Sequence, residues 1–457
     1  MQLLDGFFRS PAVEPFFTDA ATIQSILDFE AALARAQART GIVPLDSAAA
    51  ISSSCQADLF DLPALAKSVP SAGNLAIPLI KQLTTIISRT SPAAARYVHL
   101  GATSQDALDT GLVLQLRSAT RAIQSELNSI ISALAGLTST HRQTVIVART
   151  WLQHALPTTF GFITAGWLDA CLRQRGRLHN LMEQSLGLQF GGAAGTLASF
   201  HVRGVQLAAI LAEELALPVP RLPWHSQRER IGEVATSYGL LSGTFAKIAR
   251  DLSLHTQTEV GELAEPAATG RGGSSTMPHK QNPVASAAIL AATSRVPPLV
   301  STVLSGLSGE YQRSLGPWQS EWETVPEIVR LSAGASHRLA ALLPNLVVNS
   351  HRMRANLELS DGLIYAEAVT FALSKKLDRT IAHELVEDAS RRARSAGRHL
   401  RDVLADNAEV TAILPAQQLA LLFDPNNYLG SAETFIEAVL AAAEPQAEPA
   451  IKSTVTG

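Results

Sequence analysis

The sequence is short of charged residues and of cysteine. Asp, Glu, Lys and Arg make up 17% of its 457 residues, against roughly 25% in an ordinary globular protein. Its two cysteines, Cys55 and Cys171, lie far apart, which excludes a disulfide framework and a paired-cysteine metal site. We expect both to be buried thiols in a protein of a reducing compartment.

Long apolar runs and a strong net charge are also missing. No uncharged apolar run reaches the roughly 18 residues of a membrane-spanning helix, and the first residues lack the pattern of a signal peptide. The formal net charge of −3 gives no positive field for nucleic acid or anionic lipid. We therefore predict a cytoplasmic protein that binds neither nucleic acid nor a membrane.

Apolar residues are nevertheless abundant, and they recur at helical spacing. They make up 46% of the chain, with a mean hydropathy of +0.13, so this surplus must be buried against protein. Steps of three and four through residues 112–137 and 234–255 predict two long, shallowly crossing helices. Residues 327–343 predict a third. The nearly uncharged segment 283–307 predicts a fourth, which Pro297-Pro298 should kink or split.

Shorter helices are predicted on both flanks, and no segment shows the alternation and Asn-Gly turn of a β-hairpin. The clearest short helix is 22–39, whose proposed apolar face carries Ile23, Ile26, Leu27 and Leu33. Helices beyond residue 350 are broken at 360–362 and 424–427, and we expect residues 441–457 to fray. The prediction is an all-α protein with a central bundle of long helices.

Chain length predicts about three domains, at roughly 150 residues each. We place an N-terminal helical domain at residues 1–100, the long-helix bundle at 101–350 and a C-terminal helical domain at 351–457.

Three polar segments interrupt the apolar pattern. The first, residues 99–110, directly precedes a long helix and supplies four candidate substrate-binding residues, His99, Thr103, Ser104 and Gln105. Capping of the helix accounts for Asp106 or Asp109 but not for the whole cluster. A helix N-terminus with hydroxyl groups around it also suits a carboxylate ligand.

The second polar segment, residues 148–161, contains Thr150, Gln153 and His154 beside a proline. We interpret it as a helix start or the wall of a site, with a satisfied core histidine as the alternative for His154. The nearby glycine-rich stretch 191–196, which ends in Thr196, permits close backbone approach.

The third polar segment, residues 269–283, combines three glycines, hydroxyl side chains and a lysine. This composition is typical of a flexible lid that delivers a hydroxyl and an ammonium group to a pocket, although a plain surface loop is the alternative. A Walker A phosphate loop would need Gly-Lys-Ser/Thr after a strand, and neither is present.

This third segment resembles the signature loop of the fumarase/aspartase superfamily, G-S-S-x-M-P-x-K-x-N-P. Residues 273–283 match every fixed position. The other two polar segments follow in the superfamily's order, and residues 28–34 resemble its first helix. The resemblance covers nearly the whole chain. It implies a three-domain all-α subunit, a homotetramer with a shared helical bundle, and active sites built from three subunits.

Within the superfamily, residues 149–154, 223–230 and 311–318 resemble the branch of 3-carboxy-cis,cis-muconate cycloisomerases. Adenylosuccinate lyase and fumarase place a histidine where this chain has Trp151. A lyase needs a general acid to protonate its leaving amine or hydroxide, whereas a carboxylate of pKa near ~4 departs unaided. Tryptophan therefore favours a cycloisomerase. A 3-sulfomuconate cycloisomerase, a fumarate-releasing lyase and an inactive structural tetramer are the alternatives.

The resemblance also implies roles for single residues. Ser274 would exchange a proton with the substrate carbon, and Lys280 would help to lower the pKa of its hydroxyl. The residues implied to bind substrate in the same loop are Ser275, Met277 and Asn282.

A tricarboxylate substrate needs cationic partners. We predict Arg313 and Arg228 for this role, with ion pairs at helix ends or subunit interfaces as the alternative, and His99, Gln153 and His154 as orienting residues. Arg149 could serve either purpose. The histidines show no metal-binding spacing, and we expect neither a metal nor another cofactor.

Overall fold

The computed structural model describes residues 3–266, 273, 277 and 279–444. The chain divides into two compact units whose segments alternate along the sequence. The first unit comprises Met1–Asn128, Arg173–Lys247 and Ala287–Leu339, and the second comprises Ser129–Leu172, Ile248–Ser286 and Ala340–Gly457. The division into three consecutive domains stays a prediction.

Six helices precede residue 100. They are α1 (Asp5–Phe8), α2 (Asp19–Arg39), α3 (Leu45–Ser54), α4 (Leu62–Ala72), α5 (Ala76–Thr90) and α6 (Pro92–Ala95). Helix α2 begins where the hydroxyl of Thr18 accepts a hydrogen bond from the Ala21 N–H at 3.1 Å, as an N-cap does. The four apolar residues predicted to share a face of this helix are all buried.

Long helices lie at all four segments where the apolar periodicity predicts them, and Phe160–Gln184 forms a further long helix that was not predicted. In chain order the central helices are α7 (Ser104–Thr140), α8 (Phe160–Gln184), α9 (Gly204–Glu214), α10 (Glu229–His255), α11 (Val284–Ser294), α12 (Val296–Ser305) and α13 (Pro317–Leu342). Residues at the predicted spacing, such as Ile123 and Leu127 of α7 and Leu241 and Phe245 of α10, have no exposed surface. The all-α prediction with a middle of long helices is confirmed.

The apolar segment before residue 308 is split into α11 and α12 at Arg295, directly before the two prolines. By length and composition alone, Val284–Ser308 could cross a membrane, and one third of that window is buried within this chain. The core helix of a bundle passes the same test.

Residues 145–159 form a β-hairpin, which the sequence analysis did not predict. Strand β1 (Val145–Thr150) pairs antiparallel with β2 (Gln153–Thr159), so residues 148–159 are strand and turn, and helix α8 begins only at Phe160. The two-residue turn is Trp151-Leu152, with φ of 53° and 63°, in place of the usual Asn-Gly. Strands β3 (Leu263–Ala264) and β4 (Val347–Val348) form a second short pair.

Seven helices follow residue 349 in the part of the chain that the structure describes. They are α14 (Ser350–Glu358), α15 (Ala366–Leu373), α16 (Arg379–Ala396), α17 (Leu400–Ala405), α18 (Ala408–Ile413), α19 (Ala416–Leu422) and α20 (Ala432–Ala443). Breaks occur at both predicted places, where Gly362 has a φ of 79° and Asp424 caps a short 3₁₀ turn. The predicted frayed tail begins inside α20, and residues 445–457 lie outside the described part of the chain.

Gly334 of α13 is the point of closest helix packing onto the N-terminal segment, because a Cβ there would overlap the carbonyl oxygen of Phe8. Backbone cannot move aside cheaply, so we expect Gly334→Ala to lower the free energy of unfolding by about 1–3 kcal/mol. Gly136→Ala in α7 is the control, since no atom lies within 4 Å of its Cβ position. That substitution should stabilise by about 1 kcal/mol through helix propensity. Urea unfolding at equal subunit concentration measures both, and equal effects would contradict this packing argument.

Candidate active site

The carboxylate of Asp106 organises the first polar segment at the start of α7. It is fully buried and accepts five hydrogen bonds, from the backbone N–H groups of Thr103 (3.0 Å), Gly191 (2.9 Å) and Gly192 (2.9 Å), and from Gln189 Nε2 (3.1 Å) and His225 Nε2 (2.9 Å). The bond to Thr103 caps α7. The other bonds fix the glycine-rich stretch beside this helix start.

One turn further along α7, Asp109 anchors a second buried cluster. Arg228 donates to both oxygens of Asp109, at 2.6 and 3.1 Å, and donates to Glu321 through Nε at 3.1 Å and through Nη2. Trp318 Nε1 also donates to Asp109, at 3.0 Å. Burial lowers the pKa of Arg228, but the two carboxylates outweigh burial and hold the pKa above its ordinary value.

This geometry corrects the expectation for Arg228. Its side chain has no exposed surface, four of its N–H bonds end on Asp109 or Glu321, and its guanidinium lies over Trp224. The Arg228 guanidinium is therefore not available to a carboxylate of the substrate. The ion-pair alternative is the one that fits, and it lies within a single chain.

Gln105 is also held inside this cluster. It is buried, and its Nε2 donates to the backbone oxygen of His225 at 2.8 Å and to Asp109 at 3.2 Å. The other candidate residues of this unit lie nearer the surface: Ser104 is the half-buried first residue of α7, and Thr196 is exposed next to Gly195.

The loop before α7 carries Thr103 and His99, and Arg313 donates to this loop. Arg313 Nη2 donates to the hydroxyl of Thr103 and, at 3.4 Å, to the backbone oxygen of Gly192. His99 Nδ1 lies 2.6 Å from Glu30 Oε1. Burial lowers the pKa of His99, but attraction to Glu30 and this hydrogen bond outweigh burial and raise the pKa above its ordinary value. Cationic groups of the first unit therefore face this loop.

In the second unit, Glu262 fixes the base of the hairpin turn. Arg149 of β1 donates to both of its oxygens, at 2.9 and 2.7 Å, and His255 and Asn356 bind it at 2.6 and 2.7 Å. Burial raises the pKa of Glu262, but these partners together lower it to about 2. Arg149 is thus engaged in an ion pair within the chain.

The hairpin turn carries the second set of candidate residues. Thr150 and Gln153 are exposed on either side of it, and His154 is half-buried. Burial, followed by the charge of Arg149, lowers the pKa of His154 below its ordinary value. Gln153 and His154 line a cavity of 860 Å³, which Ser360, Glu367 and Arg394 also line. This cavity brings together polar groups of the hairpin and of the C-terminal helices.

Only part of the third polar segment is described. Ser274 and Ser275 lie outside the described residues, so their roles stay predictions. Gly273 and Gln281 pair as an antiparallel bridge, which closes the signature segment into a loop. Met277 and Lys280 on this loop are exposed.

The signature segment leads directly into α11. Asn282 is half-buried two residues before that helix. Glu265 caps the helix by accepting hydrogen bonds from the backbone N–H groups of Ala285 and Ser286, at 2.9 and 2.8 Å. The end of the loop is therefore tied to the chain that precedes it.

Sequence reasoning missed three acidic residues that hold these groups: Glu30, Glu262 and Glu321. Each is almost completely buried. The only available signal was a carboxylate inside an apolar pattern, as for Glu30 in the first predicted helix. Among the residues with described coordinates, no group of three or more His, Cys, Asp or Glu could hold a metal, and the expectation of no cofactor stays a prediction.

Removing the Arg228 charge should destabilise the protein rather than merely weaken substrate binding. We expect Arg228→Met to lower the free energy of unfolding by about 3–5 kcal/mol, because Asp109 and Glu321 then remain buried without a cation. The control is Arg392→Met, whose ion pair with Asp388 is half exposed and whose loss should cost less than about 1 kcal/mol. Urea unfolding measures both. Native stability of Arg228→Met with a raised KM would instead assign Arg228 to the substrate.

Comparison with known proteins identifies the family of this chain. A family model described as "Lyase" matches residues 9–297, and one described as "Adenylosuccinate lyase C-terminus" matches residues 362–439. The chain is 50% identical to the 3-carboxy-cis,cis-muconate cycloisomerase of Pseudomonas aeruginosa, over 96% of each chain. It is 40% identical to the nitrosuccinate lyase of Streptomyces davaonensis, over 95% of this chain and 93% of that one.

Among solved structures, the 3-carboxy-cis,cis-muconate lactonizing enzyme of Pseudomonas putida superimposes with a TM-score of 0.92. It is 46% identical, and the match covers 97% of this chain and 99% of that chain. With this likeness in sequence, fold and signature loop, the chain belongs to the fumarase/aspartase superfamily of lyases.

Proposed function

We propose that this protein is a cycloisomerase that interconverts 3-carboxy-cis,cis-muconate and 4-carboxymuconolactone in the catabolism of aromatic acids such as protocatechuate. The observation that carries this proposal is the 50% identity, over almost the full length of both chains, to a protein of that activity. Buried free thiols at Cys55 and Cys171 are in keeping with a cytoplasmic enzyme.

The chemistry of Trp151 supports the same activity. In the lactonising direction, one carboxylate oxygen of the substrate attacks an alkene carbon, and negative charge moves to the carbon next to another carboxylate. In the reverse direction, the group that leaves is a carboxylate, which needs no acid at neutral pH. An indole cannot donate a proton to a leaving group, so tryptophan is compatible with this reaction and unfavourable for expelling an amine.

The signature loop supplies the proton and stabilises the developing charge. In the lactonising direction the Ser274 hydroxyl gives its proton to the carbon that gains charge, and in reverse its alkoxide removes that proton. Lys280 and Asn282 stabilise the aci-carboxylate. Lys280 also lowers the pKa of the serine hydroxyl.

Side chains of different subunits bind the three carboxylates. Arg313 and His99 supply positive charge beside the hydroxyls of Thr103 and Ser104, and the hairpin supplies Gln153 and His154. Thr150, Thr196, Ser275 and Met277 complete the contacts, in sites that three subunits share. Arg228 and Gln105 act as positioning residues, because the Asp109 cluster holds both of them.

The subunit assembles as a homotetramer through the helices of the apolar segment. Helices α11 and α12 carry no charged residue, yet Ala287, Ala291 and Leu304 on them, and Leu307 just after α12, are exposed in a single chain. A bundle shared between subunits would bury this surface.

A lyase is the second candidate, because the chain is 40% identical to a nitrosuccinate lyase. One assay with several substrates separates the candidates. Purified protein should remove the ultraviolet absorbance of the diene of 3-carboxy-cis,cis-muconate, faster than that of its 3-sulfo analogue. It should release no fumarate from adenylosuccinate or nitrosuccinate. Fumarate release without loss of diene would overturn the proposal.

Ser274→Ala should lower kcat by about 10²–10⁴-fold, because it removes the acid–base group. Ser53→Ala, at an exposed site on α3, is the control and should keep its rate. A near-normal rate for Ser274→Ala would move the proton transfer to another residue.

The assembly is tested by light scattering. We expect a mass four times that of the 48.5 kDa subunit. Ala291→Arg should give smaller species, since it places a charge in the buried interface. Ala441→Arg, at an exposed site on α20, should leave the tetramer intact. A wild-type monomer, or a tetramer unaffected by Ala291→Arg, would contradict this interface.

A further inference from the structure

Glu30 is a buried carboxylate that neither the signature loop nor the other polar segments include. It lies on α2 between Phe29 and Ala31, with 1% of its surface exposed. Its Oε1 is 2.6 Å from His99 Nδ1, and its Oε2 has no hydrogen-bond partner among the described residues. A carboxylate in such a position is very unfavourable unless a cation accompanies it.

Among the described residues, His99 is the ion-pair partner of Glu30. The Cys55 thiol also lies within reach of that charge: burial, and then Glu30, raises the pKa of the thiol, which therefore stays neutral. A neutral imidazole would leave a bare charge in the core, whereas an imidazolium neutralises it and donates a charge-assisted hydrogen bond. Asp106 of α7 is the other charged group that acts on His99, and it also favours the protonated ring. Both elements around His99 therefore present negative charge to it.

The backbone around His99 is built to hold the ring in this place. His99 has a φ of 57°, a conformation that costs energy for a residue with a Cβ. Gln37, two turns along α2 from Glu30, donates to the backbone oxygen of Leu100 at 2.7 Å. At Gly101, with a φ of 73°, a Cβ would overlap the ring of Phe200.

His99 has a second nitrogen left for a ligand. Nδ1 is used by Glu30, while Nε2 makes no hydrogen bond to any described residue, and 17% of the side chain is exposed. Thr103, with its hydrogen bond from Arg313, follows four residues later on the same loop. An imidazolium here would add a second positive charge beside Arg313.

We propose that Glu30 is a positioning residue that keeps His99 protonated, so that Nε2–H binds a carboxylate of the substrate. The identity of that carboxylate as part of a muconate rests on the function proposed above. The Glu30–His99 pair would present the same Nε2–H donor to any carboxylate ligand. Positive charge on His99 is lost when the pH rises through the pKa of its imidazole, which lies above the ordinary value, so binding should weaken there.

Glu30→Gln tests this role, since glutamine keeps the shape and an acceptor but removes the charge. We expect His99 to lose its proton near neutral pH, which raises KM at pH 7.5 about ten-fold, as one pH unit of titration would, with little change in kcat. The fall of kcat/KM with rising pH should begin at lower pH than in the wild type. Gln37→Leu is the control: it loosens the same loop and should not move the pH profile.

A direct measurement on His99 does not depend on the reaction. The chain has twelve histidines, and NMR of ¹³C-labelled rings identifies His99 as the signal missing from His99→Gln. Its midpoint should lie above the ordinary value of about 6.5 in the wild type and fall in Glu30→Gln. If no diene is consumed, the proposed function fails while this titration still decides the role of Glu30.

Two results would overturn the inference. One is a wild-type His99 that titrates at or below the ordinary histidine value, which holds even if Glu30→Gln does not fold. The other is a Glu30→Gln enzyme whose KM and kcat change without any shift of the pH profile, since loss of packing alone would produce that.

Discussion

Two buried carboxylates at the start of α7 constrain the first unit of this protein. Asp106 and Asp109 lie one turn apart, and neither has access to water. A buried charge costs several kcal/mol unless protein groups replace its hydration. Asp106 therefore requires the glycine-rich stretch and His225, and Asp109 requires Arg228. The elements that carry these donors cannot shift independently, which fixes the loop that carries His99 and Thr103 and to which Arg313 donates.

The second unit uses the same physical solution at Glu262. Three side chains, one each from the hairpin, α10 and α14, make four hydrogen bonds to its two oxygens. The hairpin turn needs such an anchor, because Trp151 and Leu152 both have positive φ, at a cost of about 1–2 kcal/mol each. Strain of this kind persists only where the surroundings enforce it. The anchored turn places Gln153 and His154 beside a cavity rather than within a helix.

The roles predicted from sequence and the contacts in the structure differ most for arginine. From sequence, Arg313 and Arg228 are the candidates for a substrate carboxylate, and Arg149 could serve either that purpose or an ion pair. Whether an arginine is available depends on an acidic partner that is distant in sequence: Glu262 for Arg149, and Glu321 for Arg228. No local pattern encodes such a pairing. The same limitation hid Glu30, whose partner is His99.

Sequence alone establishes the helical class, four of the long helical segments, the split at the double proline and the superfamily. These follow from local information: a period of 3.6 residues, proline chemistry and a contiguous loop motif. That residues 145–159 form a hairpin is evident only from the contacts of the folded chain, because the hairpin turn lacks the usual glycine. The same holds for which charged side chains are paired inside the protein. Burial sets the cost of a charge, and burial is a property of contacts between distant segments.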